Sequence, residues 1–197
     1  MVSQIKVNEI IKQSGSSITI GESGDTITLG AALPVGSGGT GATTLAGAGL
    51  SNTPSFKVNY SGSPNNAQDA ANNTYSIAAL NGEVFDTDSA YDTSTYKFTV
   101  PSGKAGKYFF YYQYYFNEAS VGSPRAYIYK NGSQLARFGT YDSGAVSGFN
   151  YVMNGVSVID DASVGDYYSA YIYHNSGEAK QVYGGNEASY FMGYKLL

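Results

Sequence analysis

The sequence predicts an all-β fold of sandwich or barrel type, and three observations carry that prediction. From Pro54 onward, short segments of alternating apolar and polar residues recur between clusters of Gly, Asn, Ser and Pro, the pattern of half-buried strands joined by turns. No long helical period interrupts them, so strands have only other strands to pack against. None of the 20 Tyr and 9 Phe precedes Phe56. Each aromatic side chain can bury about 150–250 Å², so the material for a core is confined to the region after that residue. The chain reads as a stalk carrying a head.

In chain order, residues 1–14 are ambiguous between a strand, since Ile5 and Val7 alternate, and a helical turn, since Ile10 and Ile11 do not. Ile18 and Ile20 alternate with Thr, a Gly-Glu-Ser-Gly-Asp turn follows, and Ile27 and Leu29 alternate with Thr again. Two such strands cannot bury a core by themselves. They become reasonable where three copies intertwine in a shaft. Residues 34–51 are dense in Gly without a Gly at every third position, which predicts a flexible spacer and excludes collagen. The expected organisation is an attachment and shaft segment at 1–35, a Gly-rich linker at 36–53 and a head at 54–197.

Within the head, strands are predicted at 56–60, 75–79, 83–85, 96–100, 107–116, 125–130, 134–138, 148–158, 167–174 and 189–196, with a hint of a helical turn at 65–73. Asn131-Gly132 between two of these segments signals a tight hairpin. The segment 107–116 is unusual. Tyr108, Phe110, Tyr112, Tyr114 and Phe116 fall on one face, and Phe109, Tyr111 and Tyr115 on the other. A sandwich strand has one face in the core and one in water. A strand aromatic on both faces asks for a second covering, which a partner subunit can supply. The segments 167–173 and 190–197 repeat the pattern, so one sheet is expected to form a subunit interface. Which face serves the core and which the interface is open at this point.

Composition excludes several classes. Charged residues make up 13% of the chain, with a net charge of −4, which argues against nucleic-acid binding. Without Cys there is no disulfide framework and no thiolate metal site. No basic segment followed by an apolar run opens the chain and no apolar run nears the ~18–20 residues of a membrane span, so neither a secretory signal nor membrane insertion is expected. His174 is the single histidine, which leaves no parts for a Ser-His-Asp or His-metal constellation, and a place at the surface or an interface is expected for it. Asp86, Asp88 and Asp92, and again Asp160, Asp161 and Asp166, are turn clusters that could offer oxygen ligands to Ca²⁺, solvated turn carboxylates being the commoner arrangement. Paired carboxylates also occur in glycosidases, but nothing in the sequence fixes their separation. No catalytic residue, cofactor or metal is expected.

Phe98-x-Val100-Pro101 followed by Gly106-x-Tyr108-x-Phe110-x-Tyr112 resembles the signature of the globular head of complement subcomponent q, a family that shares the tumour-necrosis-factor trimeric jelly roll. Tyr91-Asp92-x-x-Thr95 is similar to its lead-in, Val164-Gly165-Asp166 to its late Gly-Asp turn, and Ser189-x-Phe191-x-Gly193 with Leu196 and Leu197 to its closing strand. The gap at 102–105 is longer than the family's. The resemblance implies a ten-stranded jelly-roll sandwich forming a homotrimer, with Tyr108, Phe110, Tyr112 and Phe191 in the trimer interface or core. Upstream, Gly38-Gly39-Thr40-Gly41-Ala42-Thr43-Thr44 and Ala46-Gly47-Ala48-Gly49-Leu50 resemble a segment of bacteriophage tail-fibre proteins, and residues 18–29 are similar to N-terminal pieces of phage structural proteins. That resemblance implies a virion protein made in the bacterial cytoplasm, bound to other virion proteins through its N-terminal segment. A tail fibre whose head adheres to a host glycan or protein is the leading expectation, with Tyr141 and Tyr183 as candidate receptor contacts. A capsid decoration or head-fibre protein is the alternative, and a polysaccharide-degrading enzyme the third reading.

Overall fold

A computed structural model describes residues 52–61, 67–116, 122–139, 152–184 and 188–196, with isolated residues at 23, 24, 26 and 48. The chain divides into two units, Met1–Gly49 and Leu50–Leu197. The expectations for 1–35 and 36–53 lie outside the described residues, apart from the turn at Ser23 and Gly24, where Gly24 has a φ of 100°.

The described residues form thirteen strands: β1 Ser55–Asn59, β2 Gln68–Ala70, β3 Ser76–Ile77, β4 Gly82–Asp86, β5 Tyr91–Asp92, β6 Lys97–Thr99, β7 Gly106–Phe116, β8 Arg125–Lys130, β9 Ser133–Gly139, β10 Val152–Ala162, β11 Tyr167–Tyr173, β12 Lys180–Val182 and β13 Tyr190–Lys195. One sheet runs β2-β12-β7-β13-β1-β4, with β10 along the other side of β7. We call it the inner sheet. The outer sheet runs β5-β6-β11-β8-β9, with β3 also paired to β11. All pairings are antiparallel. The two sheets stack as a jelly-roll sandwich.

Aromatic rings fill the space between them. Phe56 of β1 stacks on Phe98 of β6 at 4.6 Å, and Phe110 of β7 stacks on Tyr168 of β11 at 4.1 Å. Phe191 of β13 meets Phe56 edge-on at 5.1 Å. Gly193 makes this density admissible, since a Cβ there would come within 2.5 Å of the Phe110 ring and 2.9 Å of the Phe56 ring. Gly193→Ala is therefore expected to destabilise the head by about 1–3 kcal/mol through overpacking, read as a lower urea midpoint with unchanged slope.

Each of the ten predicted strands overlaps an observed one. The Asn131-Gly132 hairpin joins β8 to β9 with positive φ at both residues, 51° and 78°. The longer gap at 102–105 is a turn closed by Lys104 N donating to Pro101 O at 3.1 Å. Three expectations about the strands need correction. The segment 167–173, expected in one sheet with 107–116 and 190–197, is β11 of the outer sheet, because it pairs with β6 and β8 rather than with β7 or β13. Part of the 65–73 segment is strand β2, because β12 lies alongside it and Gln68 anchors it. The Gln68 side chain accepts from Tyr60 Oη and Ala79 N and donates to Ile77 O. The strand predicted at 148–158 continues to Ala162: Asp160 and Asp161, read as turn residues, pair across β7 with Tyr108 and Lys107.

Candidate functional site

The period of two along β7 assigns its faces. Tyr108, Phe110, Tyr112, Tyr114 and Phe116 are fully buried within the single chain, and so is Phe191 on the neighbouring β13. The four residues assigned from sequence to interface or core, Tyr108, Phe110, Tyr112 and Phe191, thus sit inside the sandwich. Tyr108 Oη donates to Lys104 O at 2.7 Å. Burial pushes the phenols of Tyr112 and Tyr114 well above the usual range, so both stay neutral.

The opposite face of the inner sheet is also aromatic. Phe109, Tyr111, Gln113 and Tyr115 point away from the core and are only half-buried. In register beside them, Tyr194 stands next to Phe109 and Met192 next to Tyr111 on β13, while Ile159 stands next to Phe109 and Met153 next to Tyr115 on β10. Phe109 packs on Tyr194 at 5.4 Å and Tyr111 on Tyr190 at 5.7 Å. Lys57 Nζ lies 4.5 Å over the Tyr190 ring. Tyr111 Oη donates to Gln113 Oε1 at 2.8 Å, and Gln113 Nε2 donates to Ala188 O at 3.0 Å. Met153 and Ile159 are each 61% exposed. They stand on β10, a strand whose second edge has no partner strand among the described residues. Tyr183, a candidate contact from sequence, packs edge-on against Tyr115 at 5.5 Å at one end of this face. Tyr141 lies outside the described residues.

The acidic clusters are engaged in structural bonds. Lys130 Nζ on β8 reaches Asp160 Oδ2 at 2.7 Å and Asp166 Oδ2 at 3.0 Å, linking the outer sheet to β10 of the inner sheet. Tyr168 Oη donates to Asp160 as well. Asn131 Nδ2 and Ser163 N donate to Asp166 and, with Lys130, hold its carboxyl at about 2. In the other cluster, Asp86 accepts from Tyr91 N, and Ser94 and Thr95 hold the Asp92 carboxyl at about 2. Lys104 lies 3.5 Å from Asp88. Among the described residues no three metal-ligating side chains converge.

These bonds predict an acid sensitivity. The Asp166 pKa is lower in the folded chain than the ordinary 3.8. Its contribution to stability is therefore complete above pH 4 and is lost as pH falls toward 2. Asp166→Asn is expected to lower the melting temperature at pH 7, with the gap to the parent chain closing near pH 2. A constant gap across that range would contradict this assignment.

His174 is not at the surface. It is fully buried, with Nε2 donating to Ala70 O at 2.8 Å, Nδ1 3.0 Å from Ser176 Oγ and the ring edge-on to Phe116 at 5.3 Å. The signal for this was parity: His174 continues the inward series Tyr168, Ala170, Ile172 beyond the end of β11.

By sequence the chain matches no family model and no curated protein. Solved structures share its fold. The globular domain of zebrafish complement 1qA is similar over 74% of this chain and 98% of that chain, with a TM-score of 0.51 and 17% identity. The crystal structure of murine APRIL at pH 8.5 is similar over 73% of this chain and 98% of that chain, with a TM-score of 0.52 and 12% identity. At these identities the likeness is one of fold: the jelly roll of complement-q and tumour-necrosis-factor-like domains.

Proposed function

We propose that the chain is a structural appendage protein of a bacteriophage virion, a tail fibre whose homotrimeric head adheres to the host surface. The observation that carries the trimer is the outward face of the inner sheet. A monomer would leave Phe109, Tyr111, Tyr115, Tyr190, Met192 and Tyr194 half in water beside exposed Met153 and Ile159. Covering that patch, and the edge of β10 that has no partner strand among the described residues, is the work of a subunit interface, which typically buries roughly 800 Å² per partner. The fold likeness to complement-q and APRIL domains supports this reading. The phage assignment rests on the Gly-rich 38–50 segment and on residues 18–29, whose resemblance is to fibre and structural proteins.

Adhesion then works by avidity: three identical sites per head, and several heads per particle, multiply weak contacts. Binding fits the site better than catalysis does, because the one histidine is enclosed and the described carboxylate clusters hold the fold together. Cryo-electron microscopy of the particle tests the placement. Trimeric density at the tail supports the fibre reading, density on the capsid shell moves the chain to a decoration or head-fibre role, and its absence from the particle overturns the virion assignment.

A further inference from the structure

The outer sheet carries a second aromatic surface, on the side turned away from the core. In β8 and β11 the residues Ala126, Ile128, Tyr168, Ala170 and Ile172 belong to the core. Their neighbours in sequence therefore face outward. Tyr127 pairs with Tyr171 and Arg125 with Tyr173 across the two strands. Tyr129 and Tyr171 lie 4.3 Å apart, and Tyr75 lies across both Tyr127, at 5.3 Å, and Tyr173, at 5.0 Å. Tyr75 is 50% exposed, while Tyr127 is fully covered.

Two arginines stand on this face. The strands that build it, β3, β8, β9 and β11, contain no Asp or Glu, as is also true of β1, β7, β12 and β13 in the inner sheet. The Arg125 guanidinium sits 5.1 Å over the Tyr173 ring. Arg137 stands opposite Tyr127 on β9, exposed and without an ion-pair partner among the described residues. Tyrosine rings stack on the apolar C–H face of a sugar while their hydroxyls bond its polar edge. A guanidinium takes a carboxylate through two parallel hydrogen bonds.

We propose that this outward tyrosine–arginine face binds an acidic polysaccharide, the rings of Tyr75, Tyr129 and Tyr173 carrying sugar units and Arg137 taking a carboxylate. This rests on the trimer reading in one respect: with the inner sheet covered by other copies, the outer sheet is the face each subunit presents. Titration calorimetry of the full chain against oligogalacturonate of six sugars, with maltohexaose as the neutral counterpart, tests it. The acidic oligomer binds, its affinity falls as salt rises, and maltohexaose binds at least about tenfold more weakly. Tyr75→Ala, at a half-exposed position, weakens binding about three- to tenfold, and Arg137→Gln removes the preference for the acidic sugar, with circular dichroism and sedimentation unchanged in both. No binding by the parent chain, equal affinity for both sugars, or unaltered binding by both variants overturns the proposal. Sedimentation of the same samples separates the two readings. A monomer that binds oligogalacturonate refutes the trimer and leaves the sugar face standing; a trimer that binds neither sugar does the reverse.

Discussion

Tyr111→Asp is expected to turn the trimeric head into folded monomers. Tyr111 lies in the middle of the outward face, with Met192 beside it on β13 and Ser157 on β10. In an isolated chain its position is half open, so a carboxylate there can stay hydrated and the sandwich keeps its core. In an assembly the same carboxylate would be enclosed, once in every copy. Removing a charge from water without a partner costs several kcal/mol per ion, and the three copies multiply that cost. In the Leu50–Leu197 unit, size-exclusion chromatography with light scattering should show one chain per particle, and near-ultraviolet circular dichroism should show native aromatic packing. A variant that remains trimeric would place Tyr111 outside the interface.

The next residue gives the opposite result. Tyr112→Asp should prevent folding altogether, because Tyr112 is fully buried between Tyr60, Tyr114 and Phe191. It both leaves a cavity in place of a large ring, worth about 3–5 kcal/mol, and encloses a carboxyl in apolar surroundings. The sum rivals the whole stability of an ordinary domain, about 5–15 kcal/mol. Loss of assembly in this variant is then a consequence of unfolding, visible as lost near-ultraviolet signal and aggregation. A soluble, native-like monomer carrying Asp at 112 would show that the two faces of β7 have been assigned the wrong way round. Adjacent residues on one strand thus separate assembly from folding.

What the sequence made legible follows from how local each signal is. Alternation located ten of the thirteen strands because strand period is written in neighbouring residues. β2, β5 and β12 escaped because two or three residues without a longer apolar run beside them carry too little pattern, and β2 and β12 are strands by virtue of pairing with each other more than a hundred positions apart. The faces of β7 could not be ranked because both are aromatic. What decides is the register with β13 and the stacking of Phe110 on Tyr168, contacts between distant segments. The acidic turns looked like open ligand sets for the same reason. The cation of the second turn, Lys130, comes from the other sheet, 30 residues away from Asp160, and that of the first, Lys104, lies beside Asp88. His174 is the exception, since its inward parity was present in the sequence and was outweighed by its position at a strand end. Its buried place is a matter of packing, with Nε2 donating to Ala70 O and Nδ1 accepting from Ser176.

The assembly claim has one direct test. The core described above lies within the Leu50–Leu197 unit, so that unit can be produced without the segment expected to form a shaft. Sedimentation equilibrium at micromolar concentration should give a mass of three chains, which assigns trimerisation to the head itself. A stable, folded single chain under those conditions would mean that the aromatic face of the inner sheet is not a subunit interface, and the reading of this protein as a trimeric head would fall with it.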